Sequence, residues 1–529
     1  MKHLIKSTFL SASLLVFSCT DLEEELIGDV TSEVSLPAIT SASGGGGGSS
    51  DPTTGAYTKL RESGSAGHGG YFSVQSVSSD EIAIAQKGGD WYDGGIWLDM
   101  HRHTYTAGNG PLKDTWNNQY GNVAEVNRAL NSTTDPSAQA ELKSLRAFFH
   151  WRLLDLYGRI RYIKEDNATS ASQLDRAAGF AEVENDLLAA LGITRANVAA
   201  GLSDGDFSSD LSTLAGDSYK VNRWGALGIL AKVYLNAEVY SGSSFYQHAL
   251  NVAEYIVVNG PYSIHSDYAQ LFAPDNDSNG ARAENIFTIP YDEASGGGMN
   301  FAQMTLTYTS QKTWQLQDQP WNGYAALQEF YDSYDANDVR KANNFHYGVQ
   351  RAWGDQGANT GDPLVDFSFD DDNPIVSYDY NKPAPLNQLE PNGGRDYGAR
   401  LGKFGFKRLQ RPDMDNDYPL VRLSEMHLII AEGLLRGATS SAGLTVAAAM
   451  GPIRSRAGLG AMPETLDELF HERGREMFME TTRRQDLIRF GKYADAWWEK
   501  AANASGDHPV MPIPQAAIDT GNYTQNSQY

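Results

Sequence analysis

Aromatic side chains in polar, glycine- and asparagine-rich stretches are the residues of this sequence best suited to bind a ligand. The chain contains 10 Trp and 27 Tyr, and many of them lie where they cannot all belong to a core. The apolar face of a sugar ring packs on an indole or phenol ring, and Trp and Tyr lose little rotamer freedom in doing so. The sequence therefore predicts a glycan-binding surface with these stacking candidates: Trp314, Tyr324, Trp321, Trp91, Tyr92 and Trp97.

Amide side chains near these rings add hydrogen-bonding capacity. Asn300, Gln317 and Asn322 each carry both donors and an acceptor, which suits sugar hydroxyls. Among the rings, Trp314 and Tyr324 are the preferred stacking residues. A weaker aromatic group of the same kind comprises Trp353, Tyr347 and His346.

The charged motifs offer little for catalysis. Glu472 and Glu476 could form an acid/base pair, but Arg473 and Arg475 stand beside them, which favours structural ion pairs. His471 begins no zinc-protease motif, because the position of the second histidine is arginine. A glycosidase needs two carboxylates about 5–10 Å apart, and no pair stands out. A surface glycoside hydrolase is therefore the alternative to a non-catalytic binding protein.

Alternating carboxylates in two segments could form a metal-binding site. Asp413, Asp415 and Asp417 alternate as carboxylates do in calcium-binding loops, which supply hard oxygen ligands. Asp275 and Asp277 offer further oxygens. The glycine that an EF-hand loop has at its sixth position is absent. Two interpretations stay open, solvated acidic turns and a structural calcium site, and no other cofactor is required.

The only cysteine, Cys19, follows a short apolar stretch near the start of the chain. The stretch is preceded by Lys2 and Lys6, as in secretory signals, and is shorter than the roughly 20 apolar residues that span a bilayer. Residues 15–18, Leu-Val-Phe-Ser, together with Cys19 resemble the lipobox of bacterial lipoproteins. We therefore predict a signal peptide over residues 1–18 and lipid modification of Cys19.

A flexible leash is predicted to follow the anchor, over residues 19–50. It begins with an acidic run in residues 21–25, which resembles the surface-export signal of lipoproteins in Bacteroidetes-type bacteria. It ends in the glycine run of residues 44–48, a composition typical of flexible linkers. No later apolar segment approaches membrane-spanning length, so we expect the body of the protein to be soluble and tethered.

The charge balance argues against a nucleic-acid partner. The formal net charge is −24, and no long basic stretch offsets the acidic excess. Such a charge suits solubility and ligands that are neutral or cationic.

Hydrophobic spacing predicts helices in the first and last parts of the chain. In residues 137–157, apolar side chains recur every three or four positions, which is the pattern of one helix face. Short helices joined by short turns are typical of stacked helical hairpins. The other predicted helices cover residues 112–130, 180–191, 223–240, 245–259, 420–435, 443–457 and 466–480.

The middle of the chain has a different composition. Residues 261–419 are rich in Gly, Asn, Asp, Pro and aromatic residues, which predicts a loop-rich insertion with short strands, such as residues 285–291. We therefore predict a mostly α-helical fold in which a helical part over residues 51–260 precedes this ligand-binding insertion. A second helical part with a proline-rich tail covers residues 420–529.

Several ordered motifs resemble those of one known family. The C-terminal motifs are residues 418–426 (YPLVRLSEM), 453–459 (IRSRAGL), 472–476 (ERGRE), 483–491 (RRQDLIRFG) and 508–514 (HPVMPIP). Shorter matches lie upstream in residues 90–95, 144–149 and 320–323. Together they resemble the SusD/RagB family of nutrient-binding outer-membrane lipoproteins, over almost all of the chain that follows the signal peptide.

The resemblance implies tetratricopeptide-like helical hairpins with a variable glycan-binding face and no catalysis. It implies a lipid-anchored protein at the cell surface of the outer membrane, which passes oligosaccharide or polysaccharide to a SusC-like TonB-dependent transporter. It leaves two roles open for Trp91 and Trp321, which lie in shared motifs and could pack the scaffold instead of binding. Non-carbohydrate nutrients such as peptides are an alternative cargo.

Overall fold

The protein is described here by a computed structural model, which covers residues 51–164, 167–214, 218–294, 297–369, 398–503 and 509–529. These residues belong to one compact unit, Gly47–Tyr529. The predicted signal peptide, Cys19 with its predicted lipid modification, and the predicted leash lie outside the described residues, as does His508 of the last motif. The division of the remainder into three parts stays a prediction.

Helices make up most of the regular structure. The helices before residue 260 are α1 (Thr54–Arg61), α2 (Tyr71–Val77), α3 (Ile96–Arg102), α4 (Gly110–Ser132), α5 (Pro136–Tyr157), α6 (Arg176–Leu191), α7 (Arg195–Ala200), α8 (Arg223–Leu235), α9 (Ala237–Ser241) and α10 (Tyr246–Asn259). The later helices are α11 (Phe301–Thr305), α12 (Ser310–Trp314), α13 (Gln328–Asp332), α14 (Val339–Asn344), α15 (Leu423–Leu435), α16 (Val446–Arg456), α17 (Leu466–Met477), α18 (Arg483–Arg489) and α19 (Gln515–Asp519).

The strands are short and pair two by two in antiparallel fashion within the described ranges. The pairs are β1 with β5, β2 with β3, β4 with β10, β6 with β9, and β7 with β8. Their bounds are β1 (Ile82–Ile84), β2 (Ile160–Arg161), β3 (Gln173–Leu174), β4 (Asn285–Ile289), β5 (Tyr324–Ala326), β6 (Phe345–His346), β7 (Val349–Arg351), β8 (Pro363–Asp366), β9 (Arg400–Leu401) and β10 (Tyr418–Arg422).

The ends of α5 show why the long helices form where they do. The Asp135 carboxylate accepts a 2.9 Å hydrogen bond from the backbone N–H of Ala138, which satisfies one of the free donors of the first turn. Pro136 occupies the first helical position, where its missing N–H costs nothing. Gly158 ends the helix with a φ of 70°, a conformation that glycine adopts without steric penalty.

Neighbouring helices pack against one another around one core. α5 lies between α4 and α6, and α10 packs against both α8 and α15, which in turn packs against α16. Because α5 has a neighbour on each side, apolar residues are buried on both of its faces, for example Leu142 and Phe148. None of the helices in the described part of the chain is both long and apolar enough to cross a bilayer.

The mostly helical fold with hairpin packing and few short strands is confirmed. All but two of the predicted helices begin and end within a few residues of the observed ones, and the strand predicted over residues 285–291 is β4. The helices described between residues 261 and 419 are only five or six residues long.

Two helix predictions are wrong in part. The helix predicted over residues 223–240 is broken at Asn236, whose side-chain amide donates to the carbonyl of Lys232 at 3.0 Å while its carbonyl accepts from Arg489 at 2.8 Å. The helix predicted from residue 420 begins at Leu423, because residues 418–422 form β10 against β4. Periodicity does not reveal a pairing with a strand that is more than a hundred residues away.

Candidate functional site

An aromatic cluster surrounds His68, which lies between α1 and α2. The His68 ring centroid is 5.3 Å from those of Trp91 and Trp97, 5.9 Å from that of Trp321 and 5.8 Å from that of Tyr324. Perpendicular and tilted contacts of this kind are favourable for aromatic pairs. We call these five residues the His68 cluster. It brings together four of the six aromatic residues that the sequence singled out.

Contacts between two loops hold the cluster together. The Trp91 Nε1–H donates to the backbone carbonyl of Trp321 at 2.7 Å. The Lys87 ammonium is buried and donates to the carbonyl of Gly323 at 2.7 Å and to that of Asn322. A Cβ atom at Gly323 would overlap with the Trp91 ring, so this close approach requires glycine.

The backbone of both loops is strained where they meet. Trp91 and Asn322 have positive φ angles of 60° and 59°, which non-glycine residues rarely adopt. Conformations of this kind cluster at ligand-binding sites and persist only where the surroundings enforce them. The buried Lys87 and the Trp91 hydrogen bond provide that enforcement.

Part of the cluster faces solvent. The Trp321 side chain is 38% exposed, His68 is exposed and Trp91 is half-buried. Tyr92, next to Trp91 in the chain, is 47% exposed. These side chains offer flat apolar surface on a rigid support, which is what stacking against a sugar ring requires.

Three of the predicted contact residues are buried instead. Tyr324 and Trp97 are 0% and 2% exposed, and Asn322 is 1% exposed, so none of them can offer a ring face or an amide to a ligand at the surface. Tyr324 lies in β5 opposite Ile84 of β1 and forms part of the buried side of the cluster. The prediction that Tyr324 and Trp97 stack on a sugar and that Asn322 binds its hydroxyls is therefore wrong for this structure.

The burial of Tyr324 changes what its replacement tests. We expect Tyr324→Ala to lower the free energy of unfolding by about 3–5 kcal/mol, as large-to-small changes of buried aromatic residues do. Tyr324→Phe, which keeps the ring, is the matched control and should lose about 1 kcal/mol. Urea unfolding followed by circular dichroism measures both, and a Tyr324→Ala variant as stable as the wild type would contradict the buried placement.

Trp314 lies apart from the His68 cluster. It is half-buried, with its ring centroid 5.8 Å from those of His346 and Phe406. Gln317 is exposed and its amide donates to the carbonyl of Leu409 at 3.1 Å. Trp314 and Gln317 are linked through Leu409, and within the described ranges no ring contact joins Trp314 to the His68 cluster.

The Asn300 side chain contacts the cluster through the backbone of His68. Its side-chain oxygen accepts a 3.1 Å hydrogen bond from the backbone N–H of His68. This bond fixes the position of His68, so the structure gives Asn300 a supporting contact in addition to the predicted capacity for sugar hydroxyls.

Carboxylates stand at the edge of the cluster. Asp93 is exposed and accepts a 2.9 Å hydrogen bond from Trp97 Nε1, and Asp90 accepts one of 3.0 Å from the Tyr308 hydroxyl. Partial desolvation by the surrounding rings lowers the pKa of His68, and the charge of Asp93 acts in the opposite direction. His68 is therefore neutral near pH 7.

The acidic residues proposed as calcium ligands do not converge. Asp413 accepts a 2.9 Å bond from the backbone N–H of Gly298, Asp415 pairs with Lys407, and Asp417 accepts a 2.7 Å bond from Tyr219. Asp275 and Asp277 are exposed in a turn that contacts the backbone of Asp417 through Asn276, and burial together with the charge of Asp277 raises the pKa of Asp417. Calcium needs six to eight oxygens around one point. Across the described ranges no group of three or more His, Cys, Asp or Glu side chains could hold a metal ion, so these residues do not fit calcium.

The motif around Glu472 and Glu476 forms a buried ion-pair network, as the sequence predicted. Glu476 lies 3.0 Å from Arg340, 2.9 Å from Arg422 and 2.5 Å from Arg456. Burial alone would raise the pKa of Glu472, but Arg340 and the arginines beside it lower the value to about 2. The pKa of Glu476 is held lower still. Carboxylates paired with arginines in this way stabilise the fold.

Sequence reasoning missed His68 and Tyr308. The signal for His68 was its setting, a run of glycines at positions 67, 69 and 70. A Cβ atom at Gly67 would lie 2.9 Å from the carbonyl of Gly298, and Gly69 has a φ of 75°, so both positions serve close approach and a turn. No pattern in the sequence distinguishes Tyr308, which is 36% exposed beside Asp90, from other tyrosines.

Comparison with known proteins adds to this geometry. The model of the SusD family matches residues 283–529. The starch-binding protein SusD of Bacteroides thetaiotaomicron is 24% identical over 454 residues, which cover 78% of this chain and 76% of that protein.

Solved structures share the fold over most of the chain. A laminarin-binding SusD-like protein matches with a TM-score of 0.66 and 22% identity, over 90% of this chain and 98% of its own. Surface glycan-binding protein A from Bacteroides thetaiotaomicron, solved in complex with laminarihexaose, matches with a TM-score of 0.65 and 20% identity over the same shares. Residues 283–529 thus match the SusD family, and the fold of the chain is that of SusD-like proteins of known structure.

Proposed function

We propose that this protein is a cell-surface lipoprotein that binds oligosaccharides or polysaccharides and delivers them to a SusC-like TonB-dependent transporter in the outer membrane. The observation that carries the binding role is the partly exposed His68 cluster. Trp321 and His68 face solvent there, on a support that is fixed by the buried Lys87 and by the Trp91 hydrogen bond. Preorganised aromatic surface binds with little loss of conformational freedom.

Two further features support a carbohydrate ligand and a role without catalysis. The relatives compared above are named for binding starch, laminarin or surface glycan, and none of those three is named as an enzyme. The strongly perturbed carboxylates Glu472 and Glu476 are held by arginines within the core, where no substrate reaches them. Neither feature favours a hydrolase.

Titration with defined oligosaccharides tests this function. We expect the purified protein to bind at least one neutral oligosaccharide, with laminarihexaose and maltohexaose as the first probes, in isothermal titration calorimetry. The same mixtures should show no new reducing ends after prolonged incubation. Failure to bind a broad panel of glycans, or the release of reducing ends by the pure protein, would contradict the proposal.

The lipid anchor is proposed to be a tether that is separate from the binding site. We expect Cys19→Ala to keep the glycan affinity of the wild type, because the cluster lies within the compact unit that begins at Gly47. The variant should lose its attachment to the cell surface, since it has no thiol to carry the acyl chains of the proposed anchor. Surface labelling of whole cells measures attachment. A matched Ser18→Ala variant, which keeps the thiol, should remain at the surface.

A further inference from the structure

A chain of hydrogen bonds runs from the interior to the exposed ring of His68. The backbone N–H of Gly69 donates to Ser73 Oγ at 2.9 Å. Ser73 Oγ lies 2.6 Å from the Tyr324 hydroxyl oxygen, which in turn lies 2.8 Å from Nδ1 of His68. Ser73 and Tyr324 are both buried, so no bulk water competes for these bonds.

The direction of the protons in this chain follows from counting donors. Ser73 Oγ accepts a hydrogen bond from the Gly69 N–H, and its own hydroxyl proton needs an acceptor. Among the described residues, the Tyr324 hydroxyl oxygen is the acceptor within reach. Burial raises the pKa of Tyr324, which keeps its phenol protonated. The phenol proton is then directed at His68 Nδ1. Nδ1 is therefore an acceptor, and in a neutral imidazole Nε2 must carry the hydrogen.

The Nε2–H group of His68 is left as a free donor at the surface of the site. No described residue accepts a hydrogen bond from it, and His68 is exposed. Its ring stands between Trp321 and Trp91, with centroid distances of 5.9 Å and 5.3 Å. A sugar that stacks on Trp321 would thus place its oxygens within reach of this donor.

We propose that His68 recognises the bound glycan by donating a hydrogen bond from Nε2–H to a hydroxyl or ring oxygen. Tyr324 is the positioning residue that fixes the tautomer of His68. The inference rests on the proposed glycan-binding function and deepens it. It also names the ligand class as neutral glycans. A neutral imidazole does not attract a uronate, and the carboxylates of Asp90 and Asp93 at the edge of the site repel one.

Three variants test the donor. His68→Phe keeps an aromatic ring and removes the donor, and it should weaken binding of laminarihexaose or maltohexaose, whichever the wild type binds, by about five- to tenfold. His68→Gln, which retains an N–H donor, should recover part of this loss. His471→Phe makes the same exchange at a half-buried histidine on α17, outside the His68 cluster, and should bind as the wild type does.

The tautomer is tested without any ligand. In ¹⁵N NMR spectra of the histidine side chains at pH 7, His68 should show an unprotonated Nδ1 and a protonated Nε2. Tyr324→Phe removes the hydroxyl that Nδ1 accepts from, so the tautomer populations of His68 should become mixed while the fold stays intact. A wild-type spectrum with the proton on Nδ1 would overturn the inference.

The outcomes separate this inference from the function on which it rests. If Trp321→Ala loses glycan binding while His68→Phe binds as well as the wild type, the donor role is wrong and the binding function stands. If the wild type binds no glycan of the panel, both are overturned. Binding of an oligouronate as tight as that of the neutral hexasaccharide would overturn the assignment of the ligand class.

Discussion

Glu476→Gln is expected to destabilise the protein by about 3–5 kcal/mol, the usual effect of removing one partner from a buried ion pair. The carboxylate is fully buried and is shared by Arg340, Arg422 and Arg456. Without its charge these guanidinium groups keep their desolvation cost and lose their shared anion. Urea unfolding monitored by circular dichroism measures the change.

Glu468→Gln provides the matched control on the same helix. Glu468 pairs with Arg475 at 2.9 Å, but its side chain is 32% exposed. Exposed pairs contribute little, so we expect a change of at most about 1 kcal/mol. Equal losses in the two variants would contradict the assignment of the network as the main electrostatic support of α17.

The same network makes stability depend on pH in the acidic range. The pKa of Glu472 in the folded protein is about 2, below its ordinary value of 4.5. A lowered folded pKa means that the unfolded chain binds the proton first as the pH falls. The stabilisation is therefore complete above pH 4.5 and is lost progressively toward pH 2. Glu476→Gln should flatten this dependence.

Trp321→Ala is expected to weaken glycan binding by at least about thirtyfold, or about 2 kcal/mol, as removal of a central aromatic anchor does. The side chain is 38% exposed and borders His68, so its loss removes stacking surface. The scaffold should stay in place, because Trp91 donates to the backbone carbonyl of residue 321, which every amino acid has. Calorimetry gives the affinity, and a circular dichroism melt verifies the fold.

Two aromatic residues outside the His68 cluster are the controls for this experiment. Trp314→Ala and Tyr347→Ala remove rings that pack near His346 and Tyr331 instead. We expect each to change the affinity by less than about threefold. A loss of glycan binding in Trp314→Ala with no loss in Trp321→Ala would place the binding site at Trp314, which the sequence alone favoured.

The helical scaffold was largely predictable because its signals are local. The helix end at Gly158 and the apolar spacing of α5 depend on residues within one or two turns. The break at Asn236 and the strand at residues 418–422 depend on Arg489 and on β4, which are remote in sequence. Local patterns carry no information about such partners.

The residues of the candidate site were only partly predictable. Trp91 and Trp321, both predicted stacking candidates, lie around the same histidine. The loop-rich composition of residues 261–419 predicts a surface position for Tyr324, whereas its pairing with Ile84 buries it. His68 is distant in sequence from Trp321, and only the fold shows that their rings meet.

A crystal structure of the protein with the neutral oligosaccharide that it binds most tightly tests the central claim most directly. We predict a sugar ring stacked on the indole of Trp321, with one of its oxygens within hydrogen-bonding distance of His68 Nε2. A sugar held at Trp314 or Trp353, with the His68 cluster left free of ligand, would contradict this account.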